Sequence, residues 1–217
     1  MTNLTISLFS LVVLLFSAII HEISHGLVAY YYGDPTAKNE GRLTLNPLKH
    51  LDPFGSVILP ISMFLLSSVF GGGFIFGWAK PVPVNVFNLK DPKKNMGIIA
   101  LFGPVSNIVI AVLFGIIFKL LATTSTFQTL PILPVFLLMI IYINILLAIF
   151  NIAPIPPLDG SNILFAILPE RLRHIEYLLK NYSLPLLLLF LFFGFRLLVP
   201  LVTSICTSIV PECQAFF

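Results

Sequence analysis

Within SAIIHEISHGLVAYY, from Ser17 to Tyr31, two histidines stand four residues apart and a glutamate follows the first. On a helix, positions i and i+4 share a face, so the imidazoles of His21 and His25 can hold one metal ion. Glu22, beside the first of them, can act as general base toward a water on that metal. The competing reading is a pair of buried, hydrogen-bonded histidines. The setting favours the metal, because ionisable side chains are costly in hydrocarbon and are kept there for use.

Two histidines leave a catalytic zinc site one protein ligand short, since such sites take three and keep the fourth position open. The other carboxylate in apolar surroundings is Asp159, within NIAPIPPLDG from Asn151 to Gly160. Pro154, Pro156 and Pro157 break the preceding helix and free the backbone ahead of Asp159. An Asp-Gly turn exposed at a helix exit is the alternative. Its pairing with HExxH favours ligation.

The elements that carry these groups are apolar. Of 217 residues, 58% are apolar and 10% charged, with a mean hydropathy of +1.02, which points to a polytopic all-α membrane protein. Four stretches are long enough to cross a bilayer as helices: Leu4 to Tyr32, Gly97 to Leu121, Leu133 to Ala153 and Ser183 to Val210. A fifth, Phe54 to Gly77, contains Pro60 and Gly71-Gly72-Gly73 and reads as re-entrant. LPERLRHIEYLLK, Leu168 to Lys180, has one charged and one apolar face and suits an interfacial helix. Two short pieces read as membrane-associated strands. Gly41 to Pro47 alternates Leu43 and Leu45 with Thr44 and Asn46, and Trp78 to Val86 carries Pro81 and Pro83 at the alternate positions of an edge. The expected organisation is one domain over 1–217, with a core at 5–160 and the interfacial helix and last span at 161–217.

Charge sets the orientation. If Phe54 to Gly77 returns to the side it leaves, ten of the twelve Lys and Arg share one side and only Lys119 nears the other, with Arg196 inside a span. Both termini then lie outside. Counted from that end, His21 sits about 25 Å into its span at about 1.5 Å per residue, toward the inner face where Asp159 also falls. The net charge of +3 is not gathered among exposed aromatics, so no nucleic-acid partner is expected. No Lys or Arg precedes Lys38, so the first segment lacks the basic start of a signal peptide and is expected to be retained. Cys206 and Cys213 form no metal knuckle; their spacing fits a pair or two free thiols.

HExxH in the first span, GPVSN (Gly103 to Asn107) in the next and NIAPIPPLDG before the tail resemble the site-2 protease family of intramembrane zinc metalloproteases. RLTLNPLKHLDPFG (Arg42 to Gly55) and GWAKPVPVN (Gly77 to Asn85) are similar to its small members, without PDZ insertion or CBS tail. The resemblance covers roughly residues 15 to 160. It implies one zinc ion held by His21, His25 and Asp159, with Glu22 activating water. It also implies that Asn107 and Asn151 place the substrate backbone. The substrate would be a transmembrane protein cut near the cytoplasmic face of a prokaryotic cell membrane, with lipid as the other partner.

Other readings are weaker. HExxH proteases that trim lipidated C-termini take a third ligand from Glu, and Glu170, Glu176 and Glu212 are badly placed for that. A metal carrier needs ligands along a path, whereas these gather at one depth. A binding relative without activity is disfavoured by the intact Glu22. Asn144 reads as an amide that joins helices, and His50 as a surface or turn residue. Arg196 needs a partner or must reach the interface.

Overall fold

The structure, a computed structural model, describes residues 3–52, 54, 58, 62 and 80–216. Its long helices are α1 (Asn3–Tyr31), α3 (Pro92–Ala122) and α5 (Ile132–Ile152), with short α2 (Thr36–Asn39) and α4 (Ser125–Thr129) in the connections. After α5 come α6 (Asp159–Ile167), α7 (Arg173–Asn181), α8 (Ser183–Leu189), α9 (Phe195–Ile209) and α10 (Cys213–Phe216).

Among the described residues α1, α3 and α5 are the helices long and apolar enough to cross a membrane. Their burial is inverted relative to a water-soluble protein. Leu4, Leu8 and Leu11 on α1 and Val109, Leu113 and Ile116 on α3 are exposed, while Ser17, His21, His25, Asn107 and Asn144 are buried. Apolar groups face outward and polar groups inward, as lipid requires of an integral membrane protein.

The expected fourth span is segmented. Helical backbone runs on from α8 through a π-helical stretch, Phe190–Gly194, into α9, where Pro200 withholds an N–H. α9 alone is too short to span, and Glu170–Asn181 with Ser183–Gly194 would count only as one span broken by a 71° bend. That bend sets α7 across the direction of the helix that follows, as an interfacial helix needs. Its charged side chains include the Lys180–Glu176 pair at 2.6 Å.

Packing centres on α3, which lies against α1, α5 and α6. Its start is defined by Asp91, whose carboxylate accepts from the Lys94 N–H at 3.2 Å, and by Pro92 at the first helical position. Gly97 and Gly115 admit Ala166 and Ile209 so closely that a methyl group at either place would stand 2.3 Å from them. Small residues of this kind let membrane helices approach. At the end where α3 finishes and α5 begins, Phe118, Leu137 and Ile141 form the apolar core with Val202, Cys206 and Cys213.

Neither expected strand is present among the described residues. Over Gly41 to Pro47 the backbone is used locally. The Arg42 N–H donates to Ala37 O, the Asn46 N–H to Thr44 Oγ1 and the Leu48 N–H to Asn46 Oδ1, which ends in a 3-10 turn at Pro47–Lys49. Side-chain acceptors competed with a ladder and won. Lys80 to Asn85 has no regular partner strand among the described residues, and its Val82 and Asn85 N–H groups go to carboxylates. Trp78, Ala79 and most of Phe54 to Gly77 lie outside the described residues, so the re-entrant reading falls there too. Its described flanks are joined, however: the Lys80 N–H donates to His50 O at 2.9 Å, and Arg42 reaches Lys80 O at 2.7 Å.

Candidate metal centre

The site lies at the end of the bundle where α1 finishes, α3 begins and α5 gives way to α6. HExxH on α1 turns both imidazoles to one side, where each Nε2 meets Asp159 Oδ2. The distances are 2.9 Å from His21 and 3.2 Å from His25. One donor atom from each of the three residues falls within 4.8 Å of the others. Asp159 reaches this point because it opens α6, and α6 folds back tightly over the end of α5. At Gly160 a Cβ would stand only 1.9 Å from Ile152 O, so no larger residue fits that turn.

Helix α3 sets the rings from behind. His25 Nδ1–H donates to Ile99 O at 2.7 Å, and His21 Nδ1–H to Asn107 Oδ1 at 2.7 Å. Between them Gly103 faces both rings; a Cβ there would lie 2.4 Å from His25 Cε1 and 2.6 Å from His21 Cε1. The GPVSN motif is thus a gap for two imidazoles followed, one turn on, by an anchor for one of them.

The donor set fits zinc. Ligand atoms on one tetrahedral zinc stand about 3.3 Å apart when its bonds are about 2.0–2.1 Å. The two nitrogen–oxygen distances lie within a few tenths of an ångström of that. Each Nδ1 is committed to an acceptor, so with zinc bound each Nε2 would give its lone pair to the metal, the usual arrangement behind metal-bound histidine.

Glu22 is not part of the three-residue ligand cluster, as expected of the residue beside a ligand on a helix. Its Oε2 accepts the Val82 N–H at 2.7 Å. It shares with His21, His25 and Asp159 a cavity of about 330 Å³, walled by Pro81, Val82 and Val84 on one side and by Asn151 and Asn162 on another. Asn151 spends one N–H on Leu147 O at 2.9 Å and keeps the rest of its amide for the cavity. Asn107 is fully buried behind His21 and does not line the cavity.

The wall formed by residues 80–85 is held by two buried charges. Arg42 donates to Lys49 O, to Lys80 O at 2.7 Å and to Pro81 O at 3.0 Å. Asp34 accepts the Asn85 N–H and the Asn88 amide, each at 2.7 Å, and the Thr36 hydroxyl at 2.5 Å. Burial disfavours its charge, yet the bonds from Thr36, Asn88 and the Asn85 and Thr36 N–H groups outweigh that and hold its pKa below the usual carboxylate value.

The remaining sequence candidates resolve as follows. Asn144 does join helices, its Oδ1 accepting from Asn107 at 3.0 Å. His50 stands in a turn but not on the surface: it is buried, its Nε2–H donates to Thr44 O at 2.8 Å and its own carbonyl accepts the Lys80 N–H at 2.9 Å. It stands outside the metal cluster. Arg196 is exposed and makes no ion pair among the described residues. Cys206 and Cys213 are joined by a disulfide. Sequence reasoning missed Asn162, although its place one turn after Asp159 on α6 was a usable signal. It also missed Gly103 as a packing gap and Val82 as the partner of Glu22.

Comparison with known proteins agrees with this geometry. A model of Peptidase family M50 matches residues 124–194, which include Asp159 but not the histidine pair. Three similar proteins are each provisionally named a zinc metalloprotease. YwhC of Bacillus subtilis is 37% identical over 75% of this chain and 70% of its own length. Rip2 of Mycolicibacterium smegmatis is 32% identical over 67% of this chain and 52% of its own. MJ0611 of Methanocaldococcus jannaschii is 34% identical over 67% and 63%. No solved structure matches the chain.

Proposed function

Because the chain belongs to peptidase family M50, the site-2 proteases, and is a zinc metalloprotease of that family, we propose that it is an intramembrane endopeptidase using one zinc ion. His21, His25 and Asp159 hold the ion, and Glu22 is the general base. The observation that carries this is the meeting of HExxH and Asp159 across 138 residues of sequence, with Glu22 free of the ligand cluster but in the same cavity.

When bound, zinc supplies a Lewis acid that polarises a carbonyl and lowers the pKa of water to about 7. The chain's own groups do the rest. The Val82 N–H holds the Glu22 carboxylate facing the cavity, where it takes the proton of the attacking water and returns it to the leaving amine. Asn151 offers an amide N–H to the oxygen that gains charge. A transmembrane helix hides its peptide bonds in its own hydrogen bonds, so the substrate must unwind before cleavage. The irregular backbone of Lys80 to Asn85 beside the cavity suits the docking of such an extended stretch.

The proposed setting is a prokaryotic cell membrane, with the zinc site toward the cytoplasm and both termini outside. Charge count supports it, and so do two structural features. The chain leaves α1 and enters α3 at the same end of the bundle. The Cys206–Cys213 disulfide sits at the other end, and disulfides persist on the oxidising side of a membrane.

The test is Glu22→Gln, purified and supplied with a model transmembrane substrate in lipid. The variant should hold one zinc per chain, as the parent does, and lose nearly all cleavage. Cleavage at a rate comparable with the parent would overturn the assignment.

A further inference from the structure

The two histidines are anchored unequally. His25 donates to Ile99 O, a backbone acceptor that cannot turn. His21 donates to Asn107 Oδ1, one end of a side-chain amide whose other end is a donor. If that amide rotated, its NH2 would face Nδ1 and the ring proton would have to sit on Nε2, the atom required for the metal. Something must therefore hold Asn107. Its Nδ2 meets Asn144 Oδ1 at 3.0 Å and, less closely, Ser17 O at 3.3 Å. Asn144 is oriented in turn, because its Nδ2 donates to Ile140 O at 2.9 Å, one turn back on α5. A backbone carbonyl only accepts, so the chain from Ile140 through Asn144 and Asn107 to His21 can run in one direction only. Asn107 and Asn144 are 0% exposed, which leaves no water to substitute for a missing partner.

We propose that Asn144 is a positioning residue of the metal site. Acting through Asn107, it fixes the His21 ring and keeps the proton on Nδ1 and the lone pair on Nε2. This rests on the reading of His21 as a zinc ligand. A residue that merely joins α3 to α5 would alter stability. A residue in this relay alters metal affinity, and only while Asn107 is present.

The experiment titrates zinc into the metal-free full-length chain in detergent, against a competing chelator. Asn144→Val should weaken zinc binding about tenfold, the low end of the loss on removing a group behind a ligand. Asn107→Ala should weaken it at least as much, and the double variant should bind like Asn107→Ala alone. Should Asn144→Val fail to fold, Asn144→Ser replaces it. Its hydroxyl can still bond Ile140 O but is too short for Asn107, so the same loss is expected. Parent-like zinc affinity in the Asn144 variants overturns the relay. So does an equal loss with and without Asn107. Parent-like affinity in His21→Ala would instead overturn the ligand assignment, and the relay with it.

Discussion

Gly103→Ala tests whether the approach of α3 to the histidines is what makes the metal site. The added methyl carbon would stand 2.4 Å from His25 Cε1, 2.5 Å from His25 Nε2 and 2.6 Å from His21 Cε1. Carbon atoms in contact stand about 3.5–4.0 Å apart, so both rings must yield by roughly 1 Å or the helices must part. Neither ring can yield freely, since each Nδ1 is held at 2.7 Å. Zinc sites tolerate about 0.2 Å in ligand distance. Removing one group behind a ligand already weakens binding about 10–100-fold, so displacing two ligands should cost at least about 100-fold. The assay is chelator competition on purified protein, with thermal unfolding of the metal-free form alongside. Gly115→Ala is the control: it meets Ile209 Cγ2 at 2.3 Å on the same helix but away from the cavity, so it should lower stability and leave zinc affinity unchanged. Zinc affinity of Gly103→Ala within about threefold of the parent, well below the loss expected from removing a single group behind a ligand, would refute the reasoning.

Asp159→Asn should lower zinc occupancy as well as cleavage, because an amide oxygen is a poorer ligand and brings no charge; metal analysis that finds full occupancy removes Asp159 from the ligand set. Asp34 has a folded pKa below its unfolded value, so its stabilising contribution is complete above about pH 4 and is lost as pH falls through the folded value. Thermal unfolding of parent and Asp34→Asn should therefore differ most near neutrality and converge in acid, and a constant difference would contradict this. Single cysteines at Lys49 and Lys93 should label from one side of the membrane and one at Thr124 from the other, the native pair being closed in a disulfide; opposite labelling of Lys49 and Lys93 would break the proposed topology.

What was legible in the sequence was chemistry carried by short spacing. HExxH declares its geometry because four residues make one helical turn, and NIAPIPPLDG declares a broken helix through its prolines. What required the structure was direction and long-range approach. The letters of GPVSN cannot say that Asn107 faces the back of His21 and not the cavity, because an amide serves either purpose. Glu22 and Val82 stand 60 residues apart, and nothing in either segment names the other. The period-two pattern at Leu43 and Leu45 suggested a strand, but Thr44 and Asn46 offered side-chain acceptors that closed turns instead. His50 read as a surface or turn residue and does stand in a turn, but it is buried there, and its carbonyl bonds the Lys80 N–H across a stretch with no local signal.

The three contributions of α3 to the site, Ile99, Gly103 and Asn107, recur every four residues and so form one face. This makes α3 a ruler. Deleting or inserting a single residue between Ile99 and Asn107 would turn one end of that face by about 100° relative to the other. Anchor, gap and second anchor would then no longer face the same pair of rings. Chain length should accordingly be fixed over these nine positions among functional descendants of this sequence, even where side chains drift.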